Sequence, residues 1–374
     1  MDLSLLLPAF LLLTWFGQNL SQSKSKVELI SLSQTELSDL RNCFQSDIYG
    51  LRSLQVQNDQ IICYGNLRPV NLRIAYKSVI EKVSNKFGDR FLVLFRQLPD
   101  KDSDQITAKP TFVLIPTPPF AKTGRSRLIG TLLSVILSAW LLVNLNQVYA
   151  VALIMLIIGR ELVRYLVARR YRLRLSLPIF LPAELGSFGS LGWNLAAIPH
   201  RRALFDLAIA PTIFSILFSL LFIRLGMGMG EWGEELLLHF SFQGNLIPQI
   251  SSWGWNFLQN YLTLTPKNPL ILAGKTGLLI TAVSLLPIQP LAGGYLIQAM
   301  FGRDRAEIVS KIMGLLLLAI ALTTNPWLLW FMLFLFAIKP PMVSILDEVS
   351  DYGNWRDLAS LTLFALSWAI LLPK

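Results

Sequence analysis

The sequence predicts a polytopic α-helical membrane protein that carries a small soluble α+β domain near its N-terminal end. Three observations lead there. The 374 residues are 53% hydrophobic and only 15% charged, with a mean hydropathy of +0.52, which is too apolar for an ordinary soluble protein. Apolar stretches of about 20 residues, the length a bilayer crossing needs, recur near 128–143, 148–168, 204–223, 269–288, 312–338 and 357–373. The polar residues, by contrast, gather in one long stretch, 21–121. The expected division is an N-terminal membrane anchor at 1–20, a soluble α+β domain at 21–121 and a multi-spanning membrane domain at 122–374.

The N-terminal run 3–17 reads in two ways. No lysine or arginine precedes it and no small-x-small cleavage site follows, while Lys24 and Lys26 come just after it. An uncleaved anchor with its N-terminus outside fits the positive-inside rule, and a signal peptide is the alternative. With this segment the expected count is six to eight spans, because Asn325-Pro326 makes 312–338 either one kinked helix or two short ones.

Within 21–121, Ser33 and Glu36 have the spacing of a capping box and predict a helix over Ser33–Asn42. Ser53–Val56 and Gln60–Tyr64 read as paired strands around Asn58-Asp59. Ile74–Phe87 has helical spacing, and Arg90–Phe95 and Thr111–Leu114 read as strands. Pro116–Gly124 is a proline-rich linker. Cys43 and Cys63, the two cysteines, are expected to be small buried hydrophobes, reduced if their compartment is cytoplasmic or stromal. Residues 172–200 are too broken by proline and glycine for a helix, and a hairpin or re-entrant sheet at the membrane face fits better.

The net charge of +10 does not point to nucleic acid. Arginines 160, 164, 169, 170, 172 and 174 fall at and beyond the end of an apolar helix, the pattern of a cytoplasmic membrane flank in contact with lipid headgroups. The loop 225–268 carries Glu231, Glu234 and Glu235 against Lys267, as an external loop would. No nucleic-acid motif is present.

On that apolar helix lies Arg160-Glu161-Leu162-Val163-Arg164. A His-Glu-x-x-His helix sets two histidines one turn apart to bind zinc and uses the glutamate as general base. Here both ligand positions are arginine, a permanent cation with no lone pair for a metal.

Three separated pieces resemble the site-2 protease family of intramembrane zinc metallopeptidases. The first is this helix, with Gly186-Ser187-Phe188-Gly189 after it. The second is Phe205-Asp206-Leu207-Ala208-Ile209-Ala210-Pro211, similar to the family's Phe-Asp-Ile-Ala-x-Ala-Gly-Pro with the glycine missing. The third, Ser284 to Gly294 (SLLPIQPLAGG), is similar to Asn-x-x-Pro-x-x-x-Leu-Asp-Gly-Gly. Residues 40–95 and 295–303 are similar to the chloroplast and cyanobacterial branch, that of the ethylene-dependent gravitropism-deficient and yellow-green proteins, which includes a member lacking the zinc motif. The resemblance implies a site-2-protease-like core in a thylakoid or plasma membrane of a cyanobacterium, or in a plastid membrane.

In that family the two histidines and the aspartate hold zinc, and the glutamate activates water. The matching positions are Arg160, Arg164 and Ala292, so the resemblance implies that all three ligands are lost, that zinc is no cofactor, and that Glu161 alone keeps its place. Ser284 replaces an asparagine held to position substrate. His200 and His239, the only histidines, replace no ligand in position.

An arginine at mid-membrane costs about 2.5–3.5 kcal/mol on insertion scales, so Arg160 and Arg164 need water or partners. Either they end the helix at the basic flank, with Arg164 paired to Glu161, or Arg160, Arg164 and Glu161 form a basic cleft for a carboxylate, a phosphate or a lipid headgroup. Asp206 is either a helix N-terminal charge favoured by the dipole or a structural bond. The leading reading is a proteolytically inactive homologue that acts as a regulator or scaffold with lipid and protein partners. The alternatives are a metallopeptidase with residual or altered hydrolysis, and a transporter, against which stands the lack of an inverted repeat.

Overall fold

The computed structural model of the chain describes residues 33–44, 48–57, 60–68, 71–99, 108–117, 131–132, 134–136, 138, 147–183, 186–191, 197–228, 268–324, 344–350 and 352–371. The expected N-terminal anchor, most of the first apolar stretch at 128–143, most of the linker, His239 with the external loop, and the break at Asn325-Pro326 lie outside these residues.

The first helix, α1 (Gln34–Phe44), begins where the capping box places it. The Ser33 backbone N–H donates to Glu36 Oε2 at 2.9 Å, and the Glu36 N–H returns to Ser33 Oγ at 3.2 Å. Bonding to the Ser33 backbone, then to Arg90, holds the Glu36 carboxyl below its ordinary value. Because that value is depressed on folding, the cap's contribution is present above the ordinary carboxylate range and is lost as pH falls through the folded value. Ser33→Ala is expected to weaken α1 by about 1 kcal/mol at neutral pH. Hydrogen exchange should show it as amide exchange in Gln34–Phe44 about fivefold faster, with unchanged exchange in the strands; equal exchange in α1 would remove the cap from the account.

The next elements are β1 (Tyr49–Gln57), β2 (Gln60–Leu67), α2 (Leu72–Phe87), β3 (Phe91–Pro99) and β4 (Ala108–Pro116). β1 and β2 pair antiparallel as the sequence implies, and their last described pair is Gln57 with Gln60. β4 pairs with both β2 and β3. One face of the sheet closes over Phe44, Tyr49, Phe95 and Phe112, with Phe95 stacked on Phe112 at 4.5 Å and Tyr49 edge-on to it at 4.9 Å. Cys43 and Cys63 are free thiols buried here. Burial pushes the Cys63 thiol upward and keeps it neutral.

The sheet does not end with these four strands. Two short strands from later in the chain, β7 (Ile198–His200) and β8 (Ile345–Asp347), extend it to the order β1-β2-β4-β3-β8-β7. Both join in parallel: Asp347 pairs with Phe95 and with His200, Glu348 donates its backbone N–H to the Phe95 carbonyl at 3.0 Å, and Ile198 donates to Ser344 at 2.8 Å. The join holds a largely buried pair, Arg96 with Glu348 at 3.8 Å. Burial raises the Glu348 carboxyl above its ordinary value while Arg96 pulls it the other way.

The helical part consists of α3 (Gln147–Arg170), α4 (Arg201–Gly228), α5 (Pro269–Ser284), α6 (Ala292–Phe301), α7 (Arg303–Thr324) and α8 (Asn354–Leu371). Among the described residues only α4 is both long and apolar enough to cross a bilayer, at 28 residues and hydropathy 2.1. α5 is apolar but has 16 residues, and the expected span 148–168 forms within α3, where Arg160, Glu161 and Arg164 interrupt its apolar character. The observed architecture is therefore helical with a mixed sheet and one helix of membrane-crossing length and composition.

α3, α4 and α5 pack through Tyr149, Leu153, Leu156, Phe222, Ala273 and Ile280. Ile154, Met155, Ile158, Leu162 and Leu166 of α3 are exposed on its opposite side, and Ile213, Leu217 and Leu221 of α4 are exposed likewise. The broken region after α3 forms the expected hairpin, β5 (Ile179–Ala183) antiparallel to β6 (Gly186–Leu191).

Candidate functional site

Arg160 and Arg164 are one helical turn apart on α3, and each is only 8% exposed, so both expected ligand positions face the protein interior. Glu161 lies between them. Its Oε1 accepts from Ser190 Oγ of the hairpin at 2.5 Å, and its Oε2 lies 3.7 Å from Arg164 Nη1. The ion pair read from the spacing is present, while Ser190 was missed. The sequence signal for it is a hydroxyl residue in the glycine-rich run after the helix, with nothing local to tie it to Glu161.

Ala292 is the first residue of α6, and Leu291 before it supplies no side-chain cap. The loop 285–291 lies across this first turn: a Cβ on Gly293 would sit 2.0 Å from the Leu285 carbonyl oxygen. Arg164 is within electrostatic reach of Tyr295, one turn further along α6. Gln289 Nε2 donates to Gln298 Oε1 at 2.7 Å and ties the loop to the same helix. Ser284, at the asparagine position, spends its hydroxyl on the Thr281 carbonyl at 2.8 Å and is buried.

The second motif is structural. Asp206 accepts a hydrogen bond from Tyr171 at the end of α3, so of its two expected roles the structural bond is the one observed. It is the sixth residue of α4, beyond the turn where the helix dipole acts strongly. Arg201, also missed, binds the Ala299 carbonyl at 2.6 Å and the Met300 carbonyl, joining the start of α4 to the end of α6. His200 accepts the Ala203 N–H on Nδ1 at 3.0 Å as an N-cap. Burial lowers its pKa, which favours the neutral ring that this acceptor role requires.

These residues do not fit a zinc ion. Two guanidinium cations and a methyl group stand at the three ligand positions, and the one carboxylate is shared between Ser190 and Arg164. Among the described residues no group of three His, Cys, Asp or Glu side chains could hold a metal.

A buried Arg-Glu-x-x-Arg helix, a hairpin bonded to its glutamate and a Gly-Gly helix start beneath a proline loop are the pieces through which the sequence resembles the membrane metallopeptidases. Comparison with known proteins narrows this class. The chain is 29% identical over 221 residues to "Probable zinc metalloprotease EGY1, chloroplastic" of Oryza sativa subsp. japonica, a match covering 57% of the chain and 38% of that protein. It is 26% identical over 354 residues to "Probable zinc metalloprotease EGY2, chloroplastic" of Oryza sativa subsp. indica, covering 88% and 64%. With "Probable zinc metallopeptidase EGY3, chloroplastic" of Arabidopsis thaliana it shares 28% over 235 residues, covering 57% and 40%. The chain is a homologue of this EGY branch of the site-2 protease family, as the three motifs implied. These matches span 38% to 64% of the length of the relatives. No family model matches the chain, and no solved structure matches it.

Proposed function

We propose that this chain is a proteolytically inactive homologue of the site-2 zinc metalloproteases, which acts in a membrane as a regulator or scaffold for lipid and protein partners. The observation that carries the reading is the state of Glu161: its carboxylate is engaged by Arg164 and Ser190, and none of the three ligand positions offers a metal donor. A general base of this kind acts on metal-bound water, and these side chains make no place for the metal. The exposed apolar sides of α3 and α4 support residence in lipid, with the other apolar helices completing a multi-pass core. The chloroplastic names of the relatives support a plastid membrane, and the resemblance extends to cyanobacterial membranes.

The names of the relatives favour a second reading, a metallopeptidase with altered hydrolysis. Zinc content separates the two. Full-length chain purified in detergent is expected to carry well under one zinc per chain by elemental analysis, and to leave a membrane-embedded reporter substrate uncut, with or without Glu161→Gln. One zinc per chain, together with cleavage lost in Glu161→Gln, would establish the second reading instead.

A further inference from the structure

Three parallel strands of the soluble sheet end where the membrane-crossing helix starts. β3, β8 and β7 share one direction, with Phe95, Asp347 and His200 at one level across them. His200 ends β7, and α4, the helix long and apolar enough to cross a bilayer, begins at the next residue. α2 runs back along β3 in the opposite sense, because the Tyr76 ring stacks on Phe95 at 6.0 Å while Phe87 meets Phe91 at 5.6 Å. Tyr76 therefore stands level with His200, and the residues before it lie nearer the bilayer. Arg73, one turn earlier or about 4.5 Å along the axis, is within electrostatic reach of His200.

The headgroup layer falls at this height. Tyr171, just past the end of α3, donates to Asp206 in the second turn of α4, so the exposed Arg169, Arg170 and Arg172 stand beside that turn. Basic residues at the end of an apolar helix mark the headgroup layer, which is roughly 5–8 Å deep on each side of the hydrocarbon. Asp206 lies five residues along α4 from Arg201, roughly 7–8 Å, so the first turn of α2 reaches the same layer. That turn and the next present Arg73 and Lys77, both exposed, with Ile74 beside them at 56% exposure. Two cations four residues apart on a helix repel each other in water, and an anionic surface relieves the repulsion. The first turn holds no acid, and Glu81, the only acid of α2, is one turn further from the bilayer than Lys77. Asn71 caps the helix by accepting the Arg73 N–H at 3.1 Å, so the surface on offer is one of side chains.

We infer that the first two turns of α2 rest on an anionic lipid surface, with Arg73 and Lys77 on headgroup phosphates and Ile74 at the boundary between headgroups and acyl chains. The inference rests on the membrane residence proposed above. The occupant is lipid rather than an acidic protein, because the patch adjoins the start of the helix that enters the bilayer and continues the basic flank at the end of α3. Headgroup charge attracts the two cations over about a Debye length, and an exposed isoleucine at that depth leaves water for the acyl boundary. Together with the join of β8 to β3, the contact fixes the soluble sheet against the membrane at two places.

The test uses the full chain in nanodiscs of phosphatidylcholine alone, or of an equal mixture with phosphatidylglycerol, and follows amide hydrogen exchange by mass spectrometry. Exchange in residues 73–78 is expected to slow about tenfold in the mixed discs, with exchange in β1 and β2 unchanged. Arg73→Gln with Lys77→Gln should abolish the slowing, as should high salt, and Ile74→Ser should keep only part of it. These variants change exposed side chains, and unchanged exchange in β3 verifies the fold; should one fail to fold, the wild-type comparison between the two lipids decides. Equal exchange in the two lipids overturns the inference and leaves the patch to an acidic protein. So does slowing that survives in the double variant, or slowing lost only with Arg169→Ala, Arg170→Ala and Arg172→Ala together, which would confine the lipid to the end of α3. Alkaline carbonate extraction of the source membranes separates the two levels. A chain released by carbonate defeats membrane residence and this inference with it, whereas a chain retained in the membrane without a lipid effect defeats only this inference.

Discussion

Replacing three side chains together, Arg160→His, Arg164→His and Ala292→Asp, is expected to give a chain that binds about one zinc ion. The two arginines already share one buried face of α3 at the spacing of a histidine pair, and Ala292 opens the helix that carries Tyr295 toward Arg164. The change removes two positive charges and adds a negative one, so the site loses the repulsion that now opposes a dication. Partial changes should fail. With Arg164→His alone, Arg160 still repels the metal, and with both histidines but Ala292 retained, the third ligand is missing. Uptake should fall as pH drops below about 6.5, because protonated imidazole cannot ligate. Elemental analysis of the folded triple variant checks this. Zinc no higher than in wild type would mean that these three positions do not converge. Proteolysis is not expected of the triple variant, since Ser284 offers no amide and its hydroxyl is committed to the Thr281 carbonyl.

What the sequence revealed and what it concealed divide by distance along the chain. The capping box at Ser33 and Glu36 and the pairing of Gln57 with Gln60 involve residues three apart, and both formed as expected. The Glu161–Arg164 pair is another local feature, fixed by the helical period. The additions β7 and β8 carried no such signal. Each is three residues long, β7 contains Pro199, β8 joins β3 from about two hundred and fifty residues away, and β7 joins β8 across about one hundred and fifty. Ser190 and Arg201 were hidden for the same reason, because their partners, Glu161 and the α6 carbonyls, lie 29 and 98 residues off. Asp206 shows a different limit. Its position near a helix start suggested a dipole role, yet the helix begins five residues earlier and the carboxylate is occupied by Tyr171. The replaced residues at the three motif positions are legible from the sequence alone because motif order substitutes for geometry, whereas among the described residues the one helix both long and apolar enough to cross a bilayer is the one that contains 204–223.

Gly293→Ala is expected to produce the largest loss of stability of any single methyl addition in the core, roughly 3 kcal/mol or more. An ideal Cβ there would lie 2.0 Å from the Leu285 oxygen, 2.4 Å from the Leu285 carbonyl carbon and 2.4 Å from the Leu286 oxygen. All three atoms are backbone, so no rotamer change relieves the contact. Moving the loop would break the Leu285 N–H bond to Thr281 and separate Gln289 from Gln298. Gly159 supplies the control, since its Cβ would meet the tip of the Phe214 ring at 2.4 Å, a side chain that can rotate away. Gly159→Ala should therefore lose only about 1 kcal/mol or less, the helix preference for alanine offsetting part of the repacking. Thermal unfolding of both variants in one detergent, followed by fluorescence-detected size exclusion, tests the ranking. Equal losses would mean that the loop over α6 yields as easily as an aromatic ring. If the ranking holds, the close approach of the Leu285–Leu286 backbone is by itself reason enough for glycine at 293.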